Sequence, residues 1–129
     1  MNLSFPKRER IVSQKLIDEL FSKTGSQSVV AFPVRAVCKV IDAPQTSSAT
    51  SVQLLVSVPK KRLHHAVDRN RVKRQLREAW RHHRQPLTGS LPEGKCLLVA
   101  FVWLSDRLYA SGEVSKRVQK LIGSITSKL

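Results

Sequence analysis

Residues 52–83 read VQLLVSVPKKRLHHAVDRNRVKRQLREAWRHH, and this stretch decides the architecture. Val52, Leu54, Val56 and Val58 alternate with Gln53, Leu55 and Ser57, the period of a strand with one buried face. Pro59 ends that strand, and Lys60 to His65 form a basic connection. From about Asp68 to His83 the period becomes helical. At about 100° per residue with Arg69 at zero, Val72, Leu76, Ala79, Trp80 and His83 fill an arc from about 280° to about 20°. Lys73, Arg84, Arg77, Asn70, Arg81 and Arg74 occupy about 40° to about 140°. One helix face is therefore built to pack on a sheet, and the face beside it is a cationic stripe.

Working outward, Ser13 is placed to cap a helix over 14–23, with Leu16, Ile17, Leu20 and Phe21 on one face. Residues 29–41 read as strand. Pro33 removes a ladder donor there, so the run is an edge strand or two short strands. Residues 42–51, rich in Ser, Thr and Ala, read as a flexible loop. Pro86, Gly89 and Pro92 break the chain after the basic helix. Cys96 to Trp103 is almost wholly apolar, as expected of a central strand covered on both faces. A last helix spans 111–126, with Val114, Val118, Leu121, Ile122 and Ile125 as its stripe. This order predicts an α+β fold, one sheet with helices packed on it. The 129 residues fit a single domain over 1–129, with residues 1–12 as a basic N-terminal arm.

The chain carries 23 Lys and Arg against 9 Asp and Glu, a net charge of +14, and 41% hydrophobic residues. It has apolar residues enough for a core, and its charge favours a polyanionic partner. The longest strongly apolar run, Cys96 to Leu104, is far short of the roughly 20 residues of a membrane helix. No apolar stretch follows the charges of the N-terminus, so no secretory signal is expected. The two cysteines, Cys38 and Cys96, are far apart and lack metal-ligand spacing. Buried thiols in a reducing compartment, the cytoplasm, are the expectation.

Between Lys60 and Arg84 lie ten cations and two acids, Asp68 and Glu78, a net of +8. Arg69, Lys73, Arg77 and Arg81 repeat at i, i+4 and repel one another, which costs helix stability. A solvated face normally mixes signs, and a membrane-lying helix needs a wider apolar face. Nucleic acid is the partner this pattern fits. Two other readings share the composition. A structural RNA-binding protein of ribosomal type would carry similar charge. A protein-only ribonuclease could use His64, His65, His82 and His83 as acid and base; packing of His83 on the apolar face is the simpler reading.

The run Ala66-Val67-Asp68-Arg69-Asn70-Arg71-Val72-Lys73-Arg74-Gln75-Leu76-Arg77-Glu78 resembles the signature helix of the bacterial ribonuclease P protein family. Arg69-Asn70-Arg71 matches the triplet that names the motif. Val56-Ser57-Val58-Pro59-Lys60-Lys61 resembles the strand end and lysine pair preceding it, although Pro59 stands where the family more often has Ser. The resemblance implies a small two-layer α/β sandwich of order αβββαβα. Its mixed sheet would contain a left-handed β-α-β crossover, like the second domain of ribosomal protein S5. It also implies a subunit of an endoribonuclease holoenzyme that removes the 5′ leader of precursor tRNA. The RNA subunit would be the catalyst, using magnesium ions that the protein alone does not hold. The implied partners are that RNA subunit and precursor tRNA, with no membrane and a monomeric protein outside the holoenzyme.

Within that resemblance, Lys60, Lys61, Arg69, Asn70, Arg71, Lys73, Arg74, Arg77 and Arg81 are the expected contacts to the RNA subunit. Arginine suits this, since its planar fork binds phosphate oxygens bidentately. No residue is expected to be catalytic or to bind metal. The leader is expected in a cleft between the first helix and one sheet face, against Phe21, Arg35, Val37, Lys39 and Lys61. Phe21 and Phe32 are read as core residues first and contacts second. Arg69 and Arg71 are both read as exposed, and Asp68 as the N-cap of the basic helix.

Overall fold

The computed structural model describes residues 17–18, 20–22, 25–42, 51–92 and 94–128. The arm at 1–12, Ser13 with its capping role, and positions 43–50 of the expected loop lie outside the described residues. Strands β1 (Gln27–Ala31), β2 (Val34–Asp42), β3 (Ser51–Ser57) and β4 (Lys95–Trp103) form one sheet in the order β1-β2-β4-β3. Its pairs are antiparallel except β3 with β4, which is parallel. A parallel pair needs a crossover, and α1 (Ala66–His83) with α2 (Gln85–Ser90) supplies it. Helix α3 (Ser111–Thr126) follows β4.

Strand β4 is apolar on both sides because both sides are covered. Leu97, Val99, Phe101 and Trp103 face a core shared with Val72, Leu76 and Trp80 of α1 and Val118, Leu121 and Ile125 of α3. Cys96, Leu98 and Ala100 face the other way, against Val37 and Leu20. Residues 17, 18 and 20 are helical, and the Phe21 amide donates to the Ile17 carbonyl at 3.1 Å. The first helical turn thus lies on the sheet face opposite α1 and α3. Trp80 meets Phe101 edge-on at 5.8 Å, and Trp103 meets Tyr109 at 5.6 Å. Such pairs add about 0.5–1.5 kcal/mol beyond burial.

One local alternative is decided, and two expectations change. Pro33 breaks the 29–41 run into a hairpin by occupying its turn, where no ladder donor is needed. Of its two strands, β1 lies at the sheet edge and β2 is interior. The proline- and glycine-marked break after α1 contains α2, which accepts Pro86 in its first turn and buries Leu87 completely. Helix α1 starts at Ala66, so His65 is the N-cap and Asp68 lies in the first turn, near the amide end of the dipole.

The packing makes a stability contrast testable by urea unfolding. Phe101→Ala should cost about 3–5 kcal/mol, because it empties a fully buried site under Trp80. Val67→Ala, at a position 79% exposed, should stay within about 0.5 kcal/mol.

Candidate nucleic-acid interface

The basic connection is a structured turn. The Pro59 carbonyl accepts from the Arg62 amide at 2.9 Å and the Leu63 amide at 3.4 Å. Leu63 is buried, which leaves Lys60, Lys61 and Arg62 exposed on the turn's outer side. Arg69 reaches back from the first turns of α1. One terminal nitrogen donates to the carbonyls of Leu63 at 3.0 Å and His64 at 2.8 Å. Arg69 is therefore half-buried and joins the turn to the helix, where the sequence reading had it exposed.

The rest of α1 follows the expected division. Val72, Leu76, Ala79 and Trp80 are buried, and Asn70, Arg71, Arg74 and Arg77 are exposed. Lys73 and Arg81 are half-buried at the stripe's margins. Arg81 and His82 both contact the Glu78 carboxylate, His82 at 3.0 Å. These hydrogen bonds, that of Arg81 first, hold the Glu78 carboxyl below its ordinary pKa. The one acid of the stripe is thus ionised and already occupied.

Gln75 was not anticipated. It borders the apolar arc, is 8% exposed, and donates through Nε2 to the Tyr109 carbonyl at 3.0 Å and the Ser111 hydroxyl at 3.1 Å. It ties α1 to the start of α3. A polar residue beside an apolar arc is a weak signal, since its partners are more than 30 positions away in sequence.

The opposite sheet face holds the second group. Phe21, Arg35 and Val37 line one cleft of about 270 Å³, together with Leu20, Ser22 and Ser28. Val37 is its buried floor. Arg35 Nε donates to the Ser28 hydroxyl at 2.8 Å. Lys39 lies beside the cleft, and its Nζ is 3.3 Å from the Ser22 hydroxyl. Phe21 is 46% exposed and Phe32 is 57% exposed, so neither is the core residue expected. Sheet register links the cleft to the basic turn. Ser57 pairs with Val102, Val102 with Arg35, and Arg35 with Val30, so one row crosses all four strands. Lys60 and Lys61 follow Ser57 by a few residues and so leave the sheet at the end where Arg35 lies.

The histidines do not share one site. His64 and His65 are exposed, His82 contacts Glu78, and His83 Nε2 is 2.9 Å from the Ser115 hydroxyl of α3. Burial, assisted by neighbouring His82, lowers the His83 pKa. Among the described residues, no three His, Cys, Asp or Glu side chains are grouped to hold a metal ion. Among the same residues, no helix is long and apolar enough to cross a membrane.

Fold and site together define a small α+β protein that presents a cationic helix on one sheet face and a cleft on the other. The family model for ribonuclease P matches residues 5–122. A ribonuclease P protein component from Porphyromonas gingivalis is 34% identical over 115 residues, covering 88% of this chain and 80% of that one. The solved RNase P protein of Staphylococcus aureus has the same fold, with a TM-score of 0.63 at 19% identity over 91% of this chain and 94% of that one. That of Thermotoga maritima gives a TM-score of 0.54 at 18% identity over 86% of this chain and 90% of that one. The chain belongs to the ribonuclease P protein family. Membership places it among the protein subunits of a tRNA-processing ribonucleoprotein.

Two predictions concern the site's framework. Arg69→Ala should lower stability by about 1–3 kcal/mol, because it removes charged hydrogen bonds to two carbonyls. Arg71→Ala should stay within about 0.5 kcal/mol in the same denaturation assay. Equal effects would contradict the tether. The second concerns pH. With a folded pKa below the unfolded value of about 6.5, His83 takes up its proton more readily in the unfolded chain. Its contribution is complete above about pH 6.5 and is lost as pH falls toward the folded value. The urea midpoint should fall over that window, and His83→Gln should reduce the fall. Glu78 and Asp42, whose pKa values are lowered, affect stability only at more acid pH.

Proposed function

We propose that this chain docks on the RNA subunit of ribonuclease P through the outer face of α1 and guides the 5′ leader of precursor tRNA along the opposite cleft. The observation that carries the reading is the single sign of the α1 stripe. Its one acid, Glu78, is engaged by Arg81 and His82. Arg71, Arg74 and Arg77 project from that face, with Asn70 between them and Lys73 and Arg81 at its margins. Lys60 and Lys61 extend it at the helix start. Arginine forks pair with phosphate oxygens, so the face suits the backbone of a folded RNA.

Arg69 enters this reading mainly as the residue that sets the turn against the helix. In the cleft, Arg35 and Lys39 would take leader phosphates, Phe21 would stack on a base, and Val37 would form an apolar floor. Lys61, at the same end of the sheet, would meet the leader as it passes toward the RNA subunit. Stacking and phosphate contacts tolerate any sequence, which suits leaders that differ between tRNAs.

Hydrolysis in this reading belongs to the RNA subunit and its magnesium ions. The chain's own part is electrostatic. It lowers the repulsion between two polyanions, RNA subunit and substrate, so that fewer magnesium ions are needed to bring them together.

Reconstitution with the cognate RNA subunit and a precursor tRNA at low magnesium tests this directly. The chain should raise the cleavage rate above that of RNA alone. Replacing Arg71 and Arg74 together by Ala should weaken RNA-subunit binding by about tenfold or more while leaving the chain folded. Cleavage no faster than with RNA alone would overturn the proposal.

A further inference from the structure

We propose that Phe32, at the tip of the β1–β2 hairpin, is a stacking platform for a base of unpaired RNA as the strand leaves the cleft; this rests on the leader-binding reading above. Among the described residues the exposed aromatic side chains are Phe21 and Phe32, at 46% and 57% exposure. Trp80, Phe101 and Trp103 are completely buried. Exposure is thus selective in this fold: Phe21 lines the cleft, and Phe32 lies at the hairpin tip beyond Ser28 and Val30.

Phe32 is held in place. Its carbonyl accepts from Arg117 Nε at 3.0 Å, and the next carbonyl, of Pro33, accepts from the Leu104 amide at 2.8 Å. An aromatic ring on an anchored turn loses little entropy when a base settles on it. The route to it is continuous. Ser28 lines the cleft, Val30 lies two residues further along β1 on the same face and is 59% exposed, and Phe32 follows. At about 3.3 Å per residue, Ser28 to Phe32 spans about 13 Å.

The surroundings select the occupant. Arg35 pairs across from Val30, and the Arg117 guanidinium contacts residue 32 itself. An exposed ring on a turn that Arg117 holds by its backbone offers a π-face to a base, and Arg35, turned toward Ser28 in the cleft, offers a cation to a phosphate of the same strand. The apolar part is one Phe and one Val, small for a protein-docking patch, and the chain's net charge of +14 favours a polyanion.

The test uses the full chain, oligouridylate as the unpaired RNA, and the ribonuclease P RNA subunit as the folded one. Phe32→Ala should weaken oligouridylate binding about tenfold and leave RNA-subunit binding unchanged. Phe32→Trp should retain oligouridylate affinity, and its emission should be quenched on binding, against two native Trp residues that are fully buried. The platform is ruled out by a Phe32→Ala chain that binds oligouridylate like the parent. It is equally ruled out by an unquenched Phe32→Trp at saturation, or by a parent that self-associates through the tip and loses this with Phe32→Ala. Failure of the parent to bind either RNA removes the functional reading and the platform with it. A silent Phe32→Ala in a chain that binds both RNAs removes the platform alone.

Discussion

The seating of α1 on the sheet is the interaction on which the rest depends. Val72, Leu76 and Trp80 are each fully buried, with Trp80 edge-on to Phe101 of the central strand. Fully burying side chains of this kind contributes about 1.5–3 kcal/mol each. Repulsion between like charges at i, i+4 on an exposed helix costs only a few tenths of a kcal/mol per pair. The apolar stripe therefore outweighs the self-repulsion of the cationic one. The helix is held by its inner face, and its outer face is left free to carry a charge density that an isolated helix would tolerate poorly.

That seating also organises the sheet. A parallel β3–β4 pair requires the chain to cross between them, and α1 makes the crossing while α3 packs beside it. With both helices on one face, the other face of β2 and β4 is left to the first helical turn and the cleft. The register row from Ser57 to Val30 brings the end of the cleft to the end of the sheet where the basic turn begins. The cationic helix face and the cleft, on opposite sides of the sheet, thus approach each other around one sheet end. That arrangement suits the proposed position of the chain between a large RNA and an extended single strand.

Much of this was legible in the sequence because it rests on local period and sign. The alternation at 52–58, the apolar run at 96–103 and the stripe at 111–126 each correspond to an element, and the buried and charged arcs of α1 follow the helical layout. What escaped depends on contacts between distant residues. The bonds of Arg69 to Leu63 and His64 arise from how the turn folds back, which spacing does not express. Gln75 is buried only because the start of α3 supplies its partners. Pro33 marked a break but not the hairpin it makes. Phe32, an aromatic next to a proline in an apolar run, carried no sign that the turn would direct it outward. Helix α2 was hidden by Pro86 and Gly89, although proline suits a first helical turn.

The central claim is that the outer face of α1 is a phosphate-binding surface, and salt dependence of RNA-subunit affinity tests it most directly. Roughly six phosphate contacts give a slope near −5 for log affinity against log salt, and removing Arg71 and Arg74 together should make it shallower by about two. A slope near −1 in the parent chain, or one unchanged by the double substitution, would contradict the account.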